Sequence, residues 1–186
     1  MLTSLADGGS HIAPMGFRAQ GRQLVLSPFV PSTTLANLRR TRTAVVCASD
    51  DVRVMAGALT GQRDWPVTRA DIVDGWRLSE CLSHWELVVD SVTDDAERPR
   101  FCCNVVHHAS HAPAPYFNRA QAAVVEASIL ISRLEMLDSD KIARELEYLH
   151  IAIAKTAGPR EQEAWAWLLG AVSDHPKHDI DTARWL

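Results

Sequence analysis

The sequence predicts an α+β protein whose N-terminal half is mainly β and whose C-terminal part is a cap of three helices. Before residue 115, short apolar runs alternate with turn signals, a pattern typical of strands in a small barrel or sandwich. After Pro115, long segments rich in alanine and leucine favour helices. The chain has 186 residues, enough for one domain with an appendage. We therefore expect a first domain over residues 1–114 and a helical domain over residues 115–186.

Six strands are expected in the first domain. In chain order they are LTSL, SHIAPMGFRAQ, QLVLSPF, RTAVVCAS, SHWELVVDSVT and PRFCCNVVHHA. The run Asp7–Gly9 predicts a hairpin turn after the first strand, and the polar run Asp94–Arg98 joins the last two strands as a long hairpin. Pro14 interrupts the second strand because proline cannot donate to a ladder, and Gly16 lets another group approach the backbone closely. Either a β-bulge or an opening for a planar polar ligand explains this break.

One helix interrupts the strands, and three follow them. Ser32 is a good N-cap for the segment TTLANLRRT. The region 52–82 is expected to be irregular, with a short helix near Arg69 to Gly75. Beyond the strands, Asn118 begins the first long helix, and Pro159 stands in the first turn of the third, where proline is well tolerated.

Composition and motifs exclude several classes of function. The net charge of −4 argues against a nucleic-acid partner, and no apolar run of 18 residues predicts a membrane span. The four cysteines form no CxxC pair, which favours reduced thiols and a cytoplasmic location. The P-loop, the dinucleotide fingerprint, HExxH and GxSxG are all absent from the sequence. We therefore assign no catalytic acid, base or nucleophile.

Four histidines invite a metal interpretation: His84, His107, His108 and His111. Because His107 and His108 point to opposite faces of a strand, no more than one of them joins a given site. No carboxylate or thiolate stands at tight ligand spacing with them. We therefore predict no metal site, and we expect these histidines to be exposed or singly hydrogen-bonded near a strand end.

A more informative segment is the start of the first helix. Ser32, Thr33 and Thr34 place three hydroxyl groups where free N–H groups and the positive end of the helix dipole suit a phosphate. Arg39 and Arg40 either reach such an anion or solvate the helix. The alternative is a well-capped helix that binds nothing. One strand and a short turn join this helix start to the proline break. One of these two segments can therefore hold a ring system, and the other can hold the phosphate of the same ligand.

The stretch SHIAPMGFRAQGRQLVLSPFVPSTTLANLRRT, followed by AVVCASDDVRVMAGAL, resembles an archaeal and bacterial family of unknown function with an FMN-binding split-barrel fold. The segments HWELVVD, YFNRAQAAVVEASILISRL and KTAGPREQEAWAWLL also fit, so the resemblance covers nearly the whole chain. A weaker similarity extends to flavin-reductase split barrels, whose flavin site uses an Asn-x-Ala-Pro strand and a Thr-x-x-Asn helix start. Here His11 to Gly16, and Thr34 with Asn37, match those patterns, although His11 replaces the asparagine.

The resemblance implies a six-stranded FMN-binding split β-barrel followed by a C-terminal three-helix cap. It also implies a homodimer with FMN, rather than FAD, near the interface. It places the flavin phosphate near Ser32, Thr33, Thr34 and Asn37, and the isoalloxazine ring against Ala13, Pro14, Met15 and Gly16.

Two residues at the start of the first C-terminal helix complete the expected site. Asn118 is either a plain N-cap or a flavin contact. Arg119 lies in a first turn, where a positive charge opposes the helix dipole, and a bound anion would offset that cost.

The expected function is that of a cytoplasmic FMN-dependent oxidoreductase acting on a small molecule. A reduced pterin or a related one-carbon cofactor is the substrate class that the resemblance suggests. The alternatives are a non-catalytic flavin carrier or sensor, a scaffold without ligand, and a binding module that recruits a partner through Trp165, Trp167 and Trp185. The first strand is short and begins close to the start of the sequence, which is compatible with a further segment upstream of it.

Overall fold

Most strands of the protein join one antiparallel sheet in the computed structural model, which describes residues 1–115 and 117–186. Within this part of the chain, the sheet has seven strands in the order β2-β1-β5-β8-β9-β4-β3, and β6 and β7 form a separate hairpin. The strands are β1 Leu2–Ser4, β2 Ser10–Ile12, β3 Phe17–Gln20, β4 Gln23–Leu26, β5 Thr43–Ala48, β6 Val67–Arg69, β7 Trp76–Leu78, β8 Ser83–Thr93 and β9 Arg100–Ser110.

The sheet differs from the predicted six strands at one point. The predicted second strand is divided into β2 and β3, because the chain leaves the ladder at residues 14–16, with Pro14 at the start of the break. The region 52–82 also differs from expectation. It forms the helix α2, Arg53–Thr60, and the hairpin of β6 and β7, rather than a helix near Arg69. Three-residue strands are too short to show a period in the sequence.

The helix α1, Thr33–Thr41, follows β4 and begins as predicted. The Ser32 hydroxyl oxygen accepts a hydrogen bond from the Leu35 N–H at 3.2 Å, which is the expected cap. Leu35 and Leu38 pack into a core that includes Leu87 of β8 and Phe101 of β9. This core holds α1 against the sheet.

Two units make up the chain. One contains residues Met1–Ser49 and Trp65–Ala114, and the other contains residues Asp50–Asp64 and Pro115–Leu186. The chain passes from the first unit to the second between residues 114 and 115, and residues 50–64 also belong to the second unit. The segment 50–64 is assigned to the second unit because Val52 and Ala56 are buried in its helical core.

The second unit contains α2, α3 Arg119–Ile131, α4 Ser139–Thr156, α5 Pro159–Ser173 and a 3-10 turn, Ala183–Trp185. The described part of residues 117–186 thus holds three α-helices, the number that the sequence predicted there, and α2 from earlier in the chain joins them as a fourth helix of the unit. Trp165 and Trp185 are almost fully buried, and the Trp165 indole N–H donates to the Trp185 carbonyl at 2.9 Å. These two tryptophans therefore belong to the core of the unit and do not form a partner surface, and half-buried Trp167 packs against the same core.

None of the helices in residues 1–115 and 117–186 is long and apolar enough to cross a membrane.

Candidate functional site

The N-terminus of α1 offers hydrogen-bond donors for an anion. The N–H groups of Thr33 and Thr34 stand at the first two helical positions, where no intrahelical acceptor exists. The first turn carries no acidic residue, so the positive end of the helix dipole is not neutralised by the helix itself. Thr33 is exposed and Thr34 is buried. The arrangement is suited to a phosphate group.

The other predicted residues of α1 are bound to the surrounding sheet and loops. Arg39 and Arg40 lie in the last turn; Arg39 pairs with Asp94 at 3.1 Å, and Arg40 donates to the Ser4 carbonyl. Both arginines therefore bond to other parts of the protein and do not reach an anion at the start of α1. Asn37 is buried, and its amide donates to the hydroxyl of Thr3 in β1 at 3.0 Å. Asn37 therefore ties α1 to β1.

The break at Pro14 lies between β2 and β3, as the sequence indicated. The Ala13 N–H donates to the Met1 carbonyl at 2.9 Å, and the Met1 amino group donates to the Ala13 carbonyl at 3.0 Å. The backbone groups of Ala13 are thus already paired within the protein. Met15 packs against the core, and no heavy atom lies within 4 Å of the position that a Cβ on Gly16 would take. Open space at the backbone therefore lies at Gly16 rather than at Ala13.

Asn118 and Arg119 belong to the second unit. The Asn118 side-chain oxygen accepts a hydrogen bond from the Ala120 N–H at 2.8 Å, which makes it an N-cap of α3. Arg119 is the first residue of this helix and is exposed. The capping role that the sequence left open for Asn118 is thus present.

A second cluster combines side chains of β8, β9 and the bend after β6, and it was not predicted. His84 and Glu86 are both fully buried on β8, and His84 Nε2 lies 3.1 Å from Glu86 Oε1. Asp71 Oδ2 lies 3.5 Å from His84 Nε2 and 3.3 Å from His107 Nε2. One ligand atom from each of these four residues lies within 4.8 Å of the others. On the other side of His84, its Nδ1 lies 2.8 Å from His111 Nε2.

The carboxylate of Glu86 is held by backbone donors. The N–H of Asp71 donates to Oε1 at 2.7 Å, and those of Ile72 and Val73 donate to Oε2 at 2.8 and 2.7 Å. Burial by itself raises the pKa of Glu86, but the N–H groups of Val73, Asp71 and Ile72 and the His84 ring hold this pKa below its ordinary value. Glu86 is therefore ionised inside the protein.

The expectation for the histidines was wrong at His84, which is neither exposed nor singly bonded. The expectation that no carboxylate stands at ligand spacing with the histidines was also wrong, because Glu86 is two residues from His84 and both point to one face of β8. In the register of the hairpin, Glu86 is opposite His107, which adds a third residue to that face. His108 lies on the other face and stacks on Trp85, as the alternation predicts. Asp71 could not be found, because it reaches the cluster from a bend outside the sheet.

Comparisons with known proteins identify the family. Residues 1–112 match the model described as "Protein of unknown function (DUF447) N-terminal domain", and residues 118–170 match the model described as "Protein of unknown function (DUF447)". The chain belongs to the DUF447 family. The resemblance to a family of unknown function is thereby confirmed. No curated protein sequence matches this DUF447 chain.

Solved structures with similar folds include flavoproteins. An FMN-bound DUF447 protein from Methanosarcina mazei is 15% identical, with a TM-score of 0.78 over 91% of this chain and 92% of that one. The 2-nitrobenzoate 2-nitroreductase of Pseudomonas fluorescens is 16% identical, with a TM-score of 0.50 over 59% of this chain and 62% of the other. Component B of nitrilotriacetate monooxygenase from Mycobacterium thermoresistibile is 12% identical, with a TM-score of 0.51 over 61% of this chain and 69% of the other. These likenesses support the α+β fold and its β-rich N-terminal half.

Proposed function

We propose that this protein binds FMN and acts as a flavin-dependent oxidoreductase on a small molecule. The observation that carries this proposal is the start of α1, where donors suited to a phosphate stand in a chain whose fold follows an FMN-bound family member over nine-tenths of its length. The proposal includes the split-barrel form of the first unit that the resemblance implies.

The phosphate of the flavin would lie at the N-terminus of α1. The backbone N–H groups of Thr33 and Thr34 are free to donate to it, and the hydroxyls of both residues add donors. Ser32 holds the helix start in place, since its hydroxyl oxygen is engaged by Leu35. Asn37 keeps α1 fixed on β1 through Thr3. Contacts within the protein thus hold the start of α1 in place.

The isoalloxazine ring would lie against Pro14, Met15 and Gly16. The open space beside Gly16 allows a planar ring to approach the backbone closely. Met15 anchors this segment in the core, so its position is set by packing. A bound flavin supplies the electron transfer, and the protein supplies binding, orientation and a protected cavity.

We further propose a cytoplasmic homodimer with the flavin near its interface. All four residues of β3 are exposed, and β3 stands at one edge of the sheet in the described residues. A strand edge of this kind presents unpaired backbone groups that a second copy can cover. Phe17 begins β3 directly after Gly16 and has 46% of its surface exposed. A dimer formed at this edge would therefore lie beside the proposed ring site.

The first test is an absorbance spectrum of the freshly purified protein from about 300 to 600 nm, with the released ligand identified by mass. We expect the bands of oxidised flavin and the mass of FMN. Thr34→Ala should weaken FMN binding, while Thr93→Ala, at the exposed end of β8, should leave it unchanged. A colourless protein that also fails to bind added FMN would refute the proposal.

Catalysis is tested separately from binding. The FMN-loaded protein is mixed with NADH or NADPH without oxygen, and bleaching of the flavin is followed. Reoxidation by a reduced-pterin precursor or another small electron acceptor would establish turnover. A protein that binds FMN but is reduced by neither donor would instead be a flavin carrier or sensor.

A further inference from the structure

We propose that Asp71, His84, Glu86 and His107 form a binding site for a divalent transition metal of the zinc type. The four residues offer two imidazole nitrogens and two carboxylate oxygens, a donor set that zinc accepts readily. They come from three places in the chain: β8, β9 and the bend after β6. None of these four residues is among those proposed above to hold the flavin.

The spacing of the ligand atoms fits a metal. Ligands placed about 2.0–2.2 Å from a tetrahedral zinc ion lie roughly 3.3–3.6 Å from one another. Three neighbouring separations are close to that range, at 3.1 Å from Glu86 to His84, 3.5 Å from His84 to Asp71 and 3.3 Å from Asp71 to His107, and all four ligand atoms lie within 4.8 Å of one another. Small side-chain movements at Asp71 and His107, which are both partly exposed, would complete the coordination.

The hydrogen bonds of Glu86 leave one lone pair of its Oε1 atom available to an ion. Both lone pairs of Glu86 Oε2 are used by the N–H groups of Ile72 and Val73. Oε1 accepts one N–H, from Asp71, so its second lone pair faces His84 Nε2. Two carboxylate oxygens thus converge on one imidazole nitrogen, and a cation among them would satisfy all three atoms.

The surroundings of His84 resemble those of a metal ligand. With Nε2 on the ion, the Nδ1–H of His84 would donate to His111 Nε2, which is 2.8 Å away. Metal-binding histidines commonly donate their other N–H to a carboxylate, a carbonyl or water, which fixes the ring and its tautomer; here the His111 nitrogen would take the place of that acceptor. A β-bulge between Glu86 and Leu87 in the β8–β9 ladder lies beside the cluster, as bulges often lie beside functional sites.

Burial and charge also favour a cation. His84 and Glu86 are fully buried, whereas the side chain of Asp71 is 49% exposed and that of His107 is 31% exposed. An ion can therefore enter from the side of Asp71. Two carboxylates side by side repel each other, and a divalent ion would offset that repulsion. The ion would also join the bend at residues 71–73 to the sheet.

The test is a calorimetric titration of the full-length, chelator-treated protein with Zn²⁺, followed by elemental analysis of the desalted sample. We expect saturable binding of about one equivalent and a rise in melting temperature. Co²⁺ in place of Zn²⁺ should produce the visible bands of a four-coordinate site. These readouts measure the metal, so they do not depend on whether the protein binds FMN.

Two adjacent histidines provide a matched pair of variants. His107→Ala should weaken Zn²⁺ binding at least about tenfold, since the loss of even an outer partner of a ligand costs 10- to 100-fold. His108→Ala, on the opposite face of the same strand, should leave the affinity unchanged. Asp71→Asn is a second variant at a half-exposed position, where folding is easily retained. No saturable binding by the wild-type protein, or an equal loss in both histidine variants, would mean that the cluster is a hydrogen-bonded network only.

Discussion

Replacement of Glu86 by glutamine tests how the bend at residues 71–73 is held to the sheet. The carboxylate accepts three backbone N–H groups at 2.7–2.8 Å, and a hydrogen bond to a charged group contributes about 1.5–3 kcal/mol. In the Glu86→Gln variant, the amide oxygen can keep two of these bonds, each weaker by about 1 kcal/mol, but the amide NH₂ opposes the third donor. We expect the free energy of unfolding to fall by roughly 3–5 kcal/mol, a large part of the stability of a typical domain.

The measurement is urea denaturation of the metal-free protein at pH 7, followed by circular dichroism. Asp74→Asn is the control, because the Asp74 carboxylate is almost fully exposed in its ion pair with Arg69 and should contribute less than about 1 kcal/mol. Hydrogen exchange should show faster exchange of the amides at residues 71–73 in Glu86→Gln. A variant as stable as the control, with these amides still protected, would refute the reasoning.

Three further predictions concern the two units. Asn37→Ala removes the bond to Thr3 and should cost about 1–3 kcal/mol in urea denaturation, with FMN affinity per folded molecule unchanged; a selective loss of FMN would show that Asn37 contacts the flavin. Leu168→Ala in the fully buried core of the second unit should cost about 2–5 kcal/mol, and a cost below about 1 kcal/mol would contradict the packing described. Burial raises the pKa of Asp51, but hydrogen bonds from the Arg53 side chain and backbone hold it below its ordinary value. Asp51 therefore contributes stability above its unfolded pKa of about 3.9 and loses it as the pH falls through the lower folded value. Asp51→Asn should flatten the pH dependence of thermal unfolding in that acid range, and an unchanged profile would contradict it.

Local signals in the sequence were sufficient to predict those features of the fold that depend on residues close together in the chain. The caps at Ser32 and Asn118 form as predicted because a cap requires only a side chain and an N–H two or three residues later. The long hairpin of β8 and β9 follows from two alternating apolar runs joined by a polar turn. The proline break also appears where the sequence placed it, since Pro14 cannot take part in a ladder.

Burial and partner choice were harder to predict. The sequence left a partner surface open for Trp165 and Trp185, yet both lie in a core that also includes α2 from the first half of the sequence. Arg39 and Arg40 were considered for an anion, yet each bonds to a group on another element. In each case the side chain's environment is set by a contact with a residue distant in sequence, and the spacing of residues along the chain does not predict such contacts.

The sequence by itself determined the mainly β first half, the helical second part, and the run of hydroxyl residues at the start of α1. It also determined that His84 and Glu86 share one face of a strand, because side chains alternate along a strand. Only the tertiary structure decided that Asp71 joins them. Asp71 lies in the bend at residues 71–73, which is held in place by three backbone N–H groups that donate to the Glu86 carboxylate. Alternation and capping are properties of a few consecutive residues, whereas a site assembled from separate strands and a bend depends on how the whole chain folds.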